Sequence, residues 1–218
     1  MELQASNNLI ARGINIVGTH DTASKGSLLV GLQTNSGTGI VENIDISDGD
    51  VDTNNGNGGT GLLVSDYHQG NITIRDVHVG PFPDNGLYVS GANGSVHVEG
   101  GVFENANVAG VRLKGDGSTI EGAQFIVDEP FEGFGAQRPI RLDNGVGMEV
   151  RNCDIDMDAP VTEALRILPN VESAVIADVT MELSDQVRDG IAVTQGAGPV
   201  TVDDLEVNGN SRYEVYEY

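Results

Sequence analysis

Apolar and polar positions alternate along this chain in short segments that share one frame. In Ile72-Thr73-Ile74-Arg75-Asp76-Val77-His78-Val79 every second residue is apolar until a single residue, Asp76, shifts the phase. The same frame fits 96–103, 148–155, 174–181, 200–207 and 9–16, and less fully the stretches ending at Ile46 and Phe125. Strict alternation over such lengths predicts half-buried β-strands and no helical periodicity competes with it.

Aligned on this frame, the phase-shifting position reads Gly13, Asn43, Asp76, Gly100, Gly122, Asn152, Asp178 and Asp204. These residue types tolerate positive φ, so a sharp turn is expected at each. The inward position before it reads Ala11, Val41, Ile74, Val98, Ile120, Val150, Ile176 and Val202. The last inward position reads Ile16, Ile46, Val79, Phe103, Phe125, Ile155, Met181 and Val207.

A second short strand follows each first one, often after glycine: Gly61-Leu62-Leu63-Val64, Gly86-Leu87-Tyr88-Val89 and Gly110-Val111-Arg112-Leu113. Segments 139–142, 164–167 and 190–193 continue the series, with 27–30 and 212–215 as weaker outer copies. Successive turn residues lie 22 to 33 residues apart. A period of that length, with two short strands and no helix, is the coil of a parallel β-solenoid. The pattern resembles the pectate-lyase-like superfamily over essentially the entire chain. The resemblance implies an all-β, right-handed single-stranded parallel β-helix of about eight coils, forming one domain over residues 1–218. That domain is expected to be part of a longer protein or assembly, because a solenoid needs its end edges covered.

Charge adds the next constraint. The chain holds 33 Asp and Glu against 11 Lys and Arg, a formal charge of −22. This excludes the basic footprint of a nucleic-acid binder and disfavours an anionic membrane surface. No apolar run is long enough to span a bilayer, and the first residues lack the features of a signal peptide. Only Lys25 and Lys114 are lysines. An acidic, lysine-poor surface fits a halophilic protein, since molar salt cuts the Debye length to roughly 3 Å and suppresses self-repulsion. The expected location is extracellular or surface-associated, in high salt. The single cysteine, Cys153, falls in an inward column with Ala123 and Val179 and reads as core.

Stacked coils turn sequence columns into surface ladders. The outward position before the turn reads Arg12, Glu42, Arg75, Glu99, Glu121, Arg151, Ala177 and Asp203, mostly opposite charges on neighbouring rungs. The outward position of the second strand reads Leu29, Leu63, Tyr88, Arg112, Arg141, Arg166, Ala192 and Glu214. Three arginines on consecutive rungs should repel one another. Lys114 and Arg138 join the same patch, with Asp143, Glu163 and Asp189 in adjacent columns. Two readings fit: a mixed-charge network that the acids neutralise, or a site for an anion.

Guanidinium forks bind carboxylate or sulfate bidentately, and Tyr88 offers a ring to a sugar face. Resembling polysaccharide lyases use calcium and basic residues to acidify the proton beside a uronate carboxylate. The resemblance then implies Arg141 or Lys114 as the base, Tyr88, Arg112, Arg138 and Arg166 as substrate-binding residues, and Asp143 and Glu163 near a calcium ion. Neither the Asn-Thr-Asp nor the Gly-His-Gly signature of resembling hydrolases is present. The expected function is binding, with or without β-elimination, of an acidic polysaccharide. The alternative is a non-catalytic module of a viral fibre or cell-surface protein, assembled as a homotrimer or end to end with other domains.

Other motifs carry less. Asp48, Asp50 and Asp52 alternate like the start of an EF-hand, but Thr53 and Gly59 stand where its glycine and glutamate belong. Asp154, Asp156 and Asp158 read as a solvated acidic face, and His20, His68, His78 and His97 lack metal-ligand spacing. Asn71-Ile72-Thr73 and Asn93-Gly94-Ser95 match the glycosylation sequon. The segment 128–138, which holds Phe131 and Phe134, leads straight into the arginine ladder and favours a site around Arg112, Arg141 and Arg166.

Overall fold

The computed structural model describes residues 1–19, 26–50, 59–130, 137–159 and 162–209, together with the backbone of 213–217. Asp52, His20, Phe131 and Phe134 lie outside the described residues. Every element described is a strand, and no helix occurs among the described residues.

In chain order the strands are β1 (Glu2–Ala5), β2 (Asn8–Asn15), β3 (Gly26–Leu32), β4 (Thr38–Ile46), β5 (Thr60–Val64), β6 (Asn71–Val79), β7 (Asn85–Val89), β8 (Ser95–Glu99), β9 (Val102–Glu104) and β10 (Ala109–Lys114). They continue as β11 (Thr119–Glu121), β12 (Gln124–Val127), β13 (Arg138–Gly145), β14 (Met148–Met157), β15 (Glu163–Val171), β16 (Ala174–Leu183), β17 (Asp189–Val193), β18 (Val200–Gly209) and β19 (Tyr213–Glu217). The odd members up to β7, then β10, β13, β15, β17 and β19, form the first sheet; the rest form the second. All pairings are parallel, as a solenoid requires. The second sheet has eight rungs, because β8 with β9, and β11 with β12, are one rung each. Eight rungs bound about seven turns, one fewer than the coil count expected from the turn residues.

The turn column is what bends each coil. All eight expected turn residues have positive φ, from 46° at Asp204 to 70° at Gly100. At Gly100 the following Gly101 is also left-handed, at 94°, which breaks that rung into β8 and β9. The inward residues before the turn are fully buried from Val41 to Ile176, and Phe103 stacks on Phe125 at 5.4 Å between ring centroids. Cys153 is buried, and burial pushes its thiol up to about 11, so it behaves as a small core residue.

The glycine before the second strand has a steric cause. A Cβ on Gly86 would lie 2.6 Å from the Gly110 carbonyl oxygen, one rung on, so the backbones approach too closely for a side chain. In the same strands, the residues one and three positions after this glycine point inward as Leu87 and Val89, which leaves Tyr88 and its ladder partners on the outer face. Two details differ from expectation. A short strand, β1, precedes Leu9 and pairs with β3. At the other end Ala192 pairs with Tyr216, so Tyr216 and not Glu214 occupies the last rung of the arginine column. The copy starting at Arg212 carries no glycine to mark its start, and the pairing is shifted by two residues from the one expected.

Candidate functional site: the arginine ladder of the first sheet

The outer face of the first sheet places Tyr88, Arg112, Arg141 and Arg166 on four consecutive rungs, in register. Rungs in a parallel sheet are about 4.8 Å apart, so the guanidinium stems stack closely enough to repel. Carboxylates resolve that conflict. Arg112 donates from Nε to Asp143 Oδ2 at 2.7 Å, and Arg141 donates from Nε to Asp143 Oδ1 at 2.6 Å. The pairing of β10 with β13 shifts between Leu113 and Lys114, which pairs with Asn144 and leaves Asp143 as the extra residue of a bulge. Asp143 is 6% exposed, and the two arginine side chains are 21% exposed. The carboxylate is therefore covered while the cations reach solvent.

A second cluster adjoins the first. Glu163 is almost fully buried and accepts from Arg138 Nε and, at 3.0 Å, from Arg166. Burial alone would raise the Glu163 carboxyl; the Thr162 hydroxyl and the charges of Arg138 and Arg166 outweigh it and hold the carboxyl below its ordinary value. Asp189, fully buried on the next rung, accepts from Arg188 Nε at 2.7 Å.

Lys114 lies one rung back from Arg141. Its ammonium donates to the Ser90 carbonyl at 2.8 Å and to the Tyr88 hydroxyl at 3.3 Å. Tyr88 is a support for cations: the Arg112 guanidinium sits 4.5 Å and the Lys114 ammonium 5.2 Å from its ring centroid. Cation–π attraction at such distances holds both heads in place. A sugar stacked on this ring face would have to displace them.

Two residues were not evident from the sequence. Asp84 is half-buried, accepts from the Thr60 hydroxyl at 3.0 Å and feels the charges of Arg112 and Arg141. Burial is the dominant influence and raises its carboxyl above the ordinary value. It sits immediately before Asn85-Gly86, a dipeptide that reads as a turn, so nothing marked it as part of a site. Arg188 joins through Asp189 although it belongs to none of the ladder columns. Among the described residues the face thus gathers six cations (Arg112, Lys114, Arg138, Arg141, Arg166 and Arg188) and four carboxylates (Asp84, Asp143, Glu163 and Asp189).

Asp143 and Glu163 do not fit a calcium pair. Hard cations need several free oxygens, whereas these carboxylates are each held by two arginines and belong to different clusters. Among the described residues no group of three or more His, Cys, Asp or Glu is arranged to hold a metal ion. Asp48 accepts from the Gly18 backbone, Asp50 is buried, and Asp154, Asp156 and Asp158 are exposed on the outer face of the second sheet. His78 meets Glu104 at 3.3 Å, and His97 bridges Thr119 and Asn71.

No family model, no curated protein and no solved structure matches this chain.

Proposed function

We propose that this protein binds an acidic polysaccharide along the outer face of the first sheet, as a pectate-lyase-like β-solenoid working in high salt at or outside the cell surface. The observation that carries the reading is the local charge balance. A chain of net charge −22 gathers six of its eleven basic residues on one face, where they outnumber the carboxylates they meet among the described residues. The cations repeat rung by rung, which suits a polymer whose carboxylates also repeat. Buried acids under them hold the guanidinia pre-organised, so less side-chain entropy is lost on binding.

The chemistry favours binding without cleavage. A β-elimination needs a group that accepts a proton. Arg141 is a cation donating to Asp143, and Lys114 is a donor to Ser90 and Tyr88, so neither is poised as a base. No calcium step enters this reading.

The test mixes the protein with a panel of homopolyuronates and with a neutral glucan in molar KCl, and follows complex formation and polymer mass by light scattering. Complexes with a polyuronate, absent for the glucan, at constant polymer mass agree with the proposal. Falling polymer mass would replace it with an enzyme, and no complex with any polyuronate would remove it.

A further inference from the structure

The chain holds two glycosylation sequons, and the fold sets them in different surroundings. Asn71-Ile72-Thr73 begins β6, with Asn71 paired to Thr38 on one side and to Ser95 on the other. The Asn71 amide nitrogen is bonded to His97 Nε2 at 2.9 Å, and Ile72 is fully buried. Asn71 reaches the surface, but its amide is engaged and its backbone is locked into the sheet.

Asn93-Gly94-Ser95 lies instead in the loop that joins β7 to β8. The Ser90 amide donates to the Val64 carbonyl at 3.0 Å and the Ser95 amide to the Gly70 carbonyl at 2.9 Å, which anchors the loop at both ends. Two glycines seat it on the preceding coil. A Cβ on Gly91 would come within 2.6 Å of the Asp66 carbonyl oxygen. One on Gly94 would come within 2.6 Å of the Gly70 carbonyl oxygen and 2.7 Å of His68 Nε2. Ala92 and Asn93, between these glycines, stand outward and exposed. Among the described residues neither the Asn93 side chain nor the Ser95 hydroxyl has a hydrogen-bond partner.

Beside Asn93 opens a concavity of about 380 Å³, a volume within the range of small-ligand sites. Its lining includes Asn35, Gln69, Asn71 and Ser95, and its one charged residue is Asp116. In a chain of net charge −22 this is a neutral place, where a sugar meets amides and hydroxyls and not a row of carboxylates.

We propose that Asn93, and not Asn71, is the acceptor of an N-linked glycan. The donor is an oligosaccharide on a polyprenyl phosphate, and a transferase carries out the reaction. The bond from Asn93 Nδ2 to the anomeric carbon forms as the bond from that carbon to the phosphate oxygen breaks. The phosphate leaves with the electron pair, and one amide proton passes to a base of the transferase. The inference takes from the proposed function only its location at or outside the cell surface, where such glycans are displayed.

The test sends the full chain, behind a cleavable secretory leader, through a yeast host and sequences the glycopeptides of the secreted protein. The host supplies the compartment, so this result and the polyuronate result fail separately. The expected product carries one glycan, at Asn93. Asn93→Gln and Ser95→Ala should each abolish the added mass, and Asn71→Gln should leave it unchanged. The glycopeptides of the parent chain decide the matter without relying on the fold of any variant. A secreted chain with Asn93 unmodified, or one glycosylated at Asn71, would overturn the proposal.

Discussion

Arg112 and Arg141 face each other on adjacent strands and donate to the two oxygens of one carboxylate, Asp143, at 2.7 and 2.6 Å. Sharing one acid between two cations keeps the rungs together and leaves an excess positive charge at the surface. Glu163 repeats the device for Arg138 and Arg166 one step along the sheet. The mixed-charge network and the anion-binding face weighed in the sequence are thus one structure: the network is observed, and its surplus is what the proposed function uses.

Removing the shared acid should therefore separate stability from binding. Asp143→Asn leaves two guanidinia opposed without their carboxylate. Breaking a buried pair costs about 3–5 kcal/mol, and the partial exposure of both arginines reduces this to about 2 kcal/mol. Urea midpoints in molar KCl should show that loss, while affinity for a polyuronate rises because the arginines are released.

Acid should destabilise the fold in two separate windows. His68 is buried, accepts from the Leu32 amide at Nδ1 and donates from Nε2 to the Ser95 carbonyl at 3.1 Å. Burial holds its folded value below 6.5, so the unfolded chain binds the proton first and stability falls as pH drops below 6.5. Glu163, held below 4.5 in the fold, contributes stability above 4.5 that is lost as pH falls through its lowered value. Urea unfolding across both windows should give two slopes, and His68→Gln should remove only the upper one.

The glycine before the second strand should resist even one added carbon. Gly86→Ala puts a Cβ 2.6 Å from the Gly110 carbonyl, and overpacking of this kind costs about 1–3 kcal/mol. Gly117, whose Cβ would meet nothing within 4 Å, is the comparison for crowding. There Gly→Ala should cost only the strain of its left-handed φ of 65°. Thermal melts of the two variants measure the difference.

At the bend the residue type should matter more than its charge. Asp76 has φ of 52°. Asp76→Asn should leave stability nearly unchanged, whereas Asp76→Val should cost about 1–2 kcal/mol through Cβ strain. Equal losses in the two variants would assign the position to electrostatics instead.

Much of this architecture was legible in the chain, because a solenoid repeats one local rule. Gly13, Asn43 and Asp76 mark the bends by residue type, and the aliphatic columns between them mark the inner wall. Residues whose role depends on the neighbouring coil were harder to read. Asp84 contributes through Thr60 and the arginines of later coils, and Arg188 through a buried acid beside it. The Asp143 bulge changes which residue faces the arginines without leaving a mark in local alternation. Tyr88 looked like a sugar platform because nothing local reveals that Arg112 and Lys114 cover its ring. The strand β1 has only four residues, too few for a period to show.

The most direct measurement is polyuronate affinity in molar KCl for three single variants, Arg112→Gln, Arg166→Gln and Arg75→Gln. Each removes one of two arginines that share an acid, so Arg141–Asp143, Arg138–Glu163 and Arg12–Glu42 remain paired. The first two lie on the ladder, and Arg75 lies on the other sheet. Loss of a charge-assisted contact on the ladder should weaken binding about tenfold in each of the first two variants and leave the third unchanged. Equal affinity across all three, or a loss confined to Arg75→Gln, would contradict the ladder as the binding face.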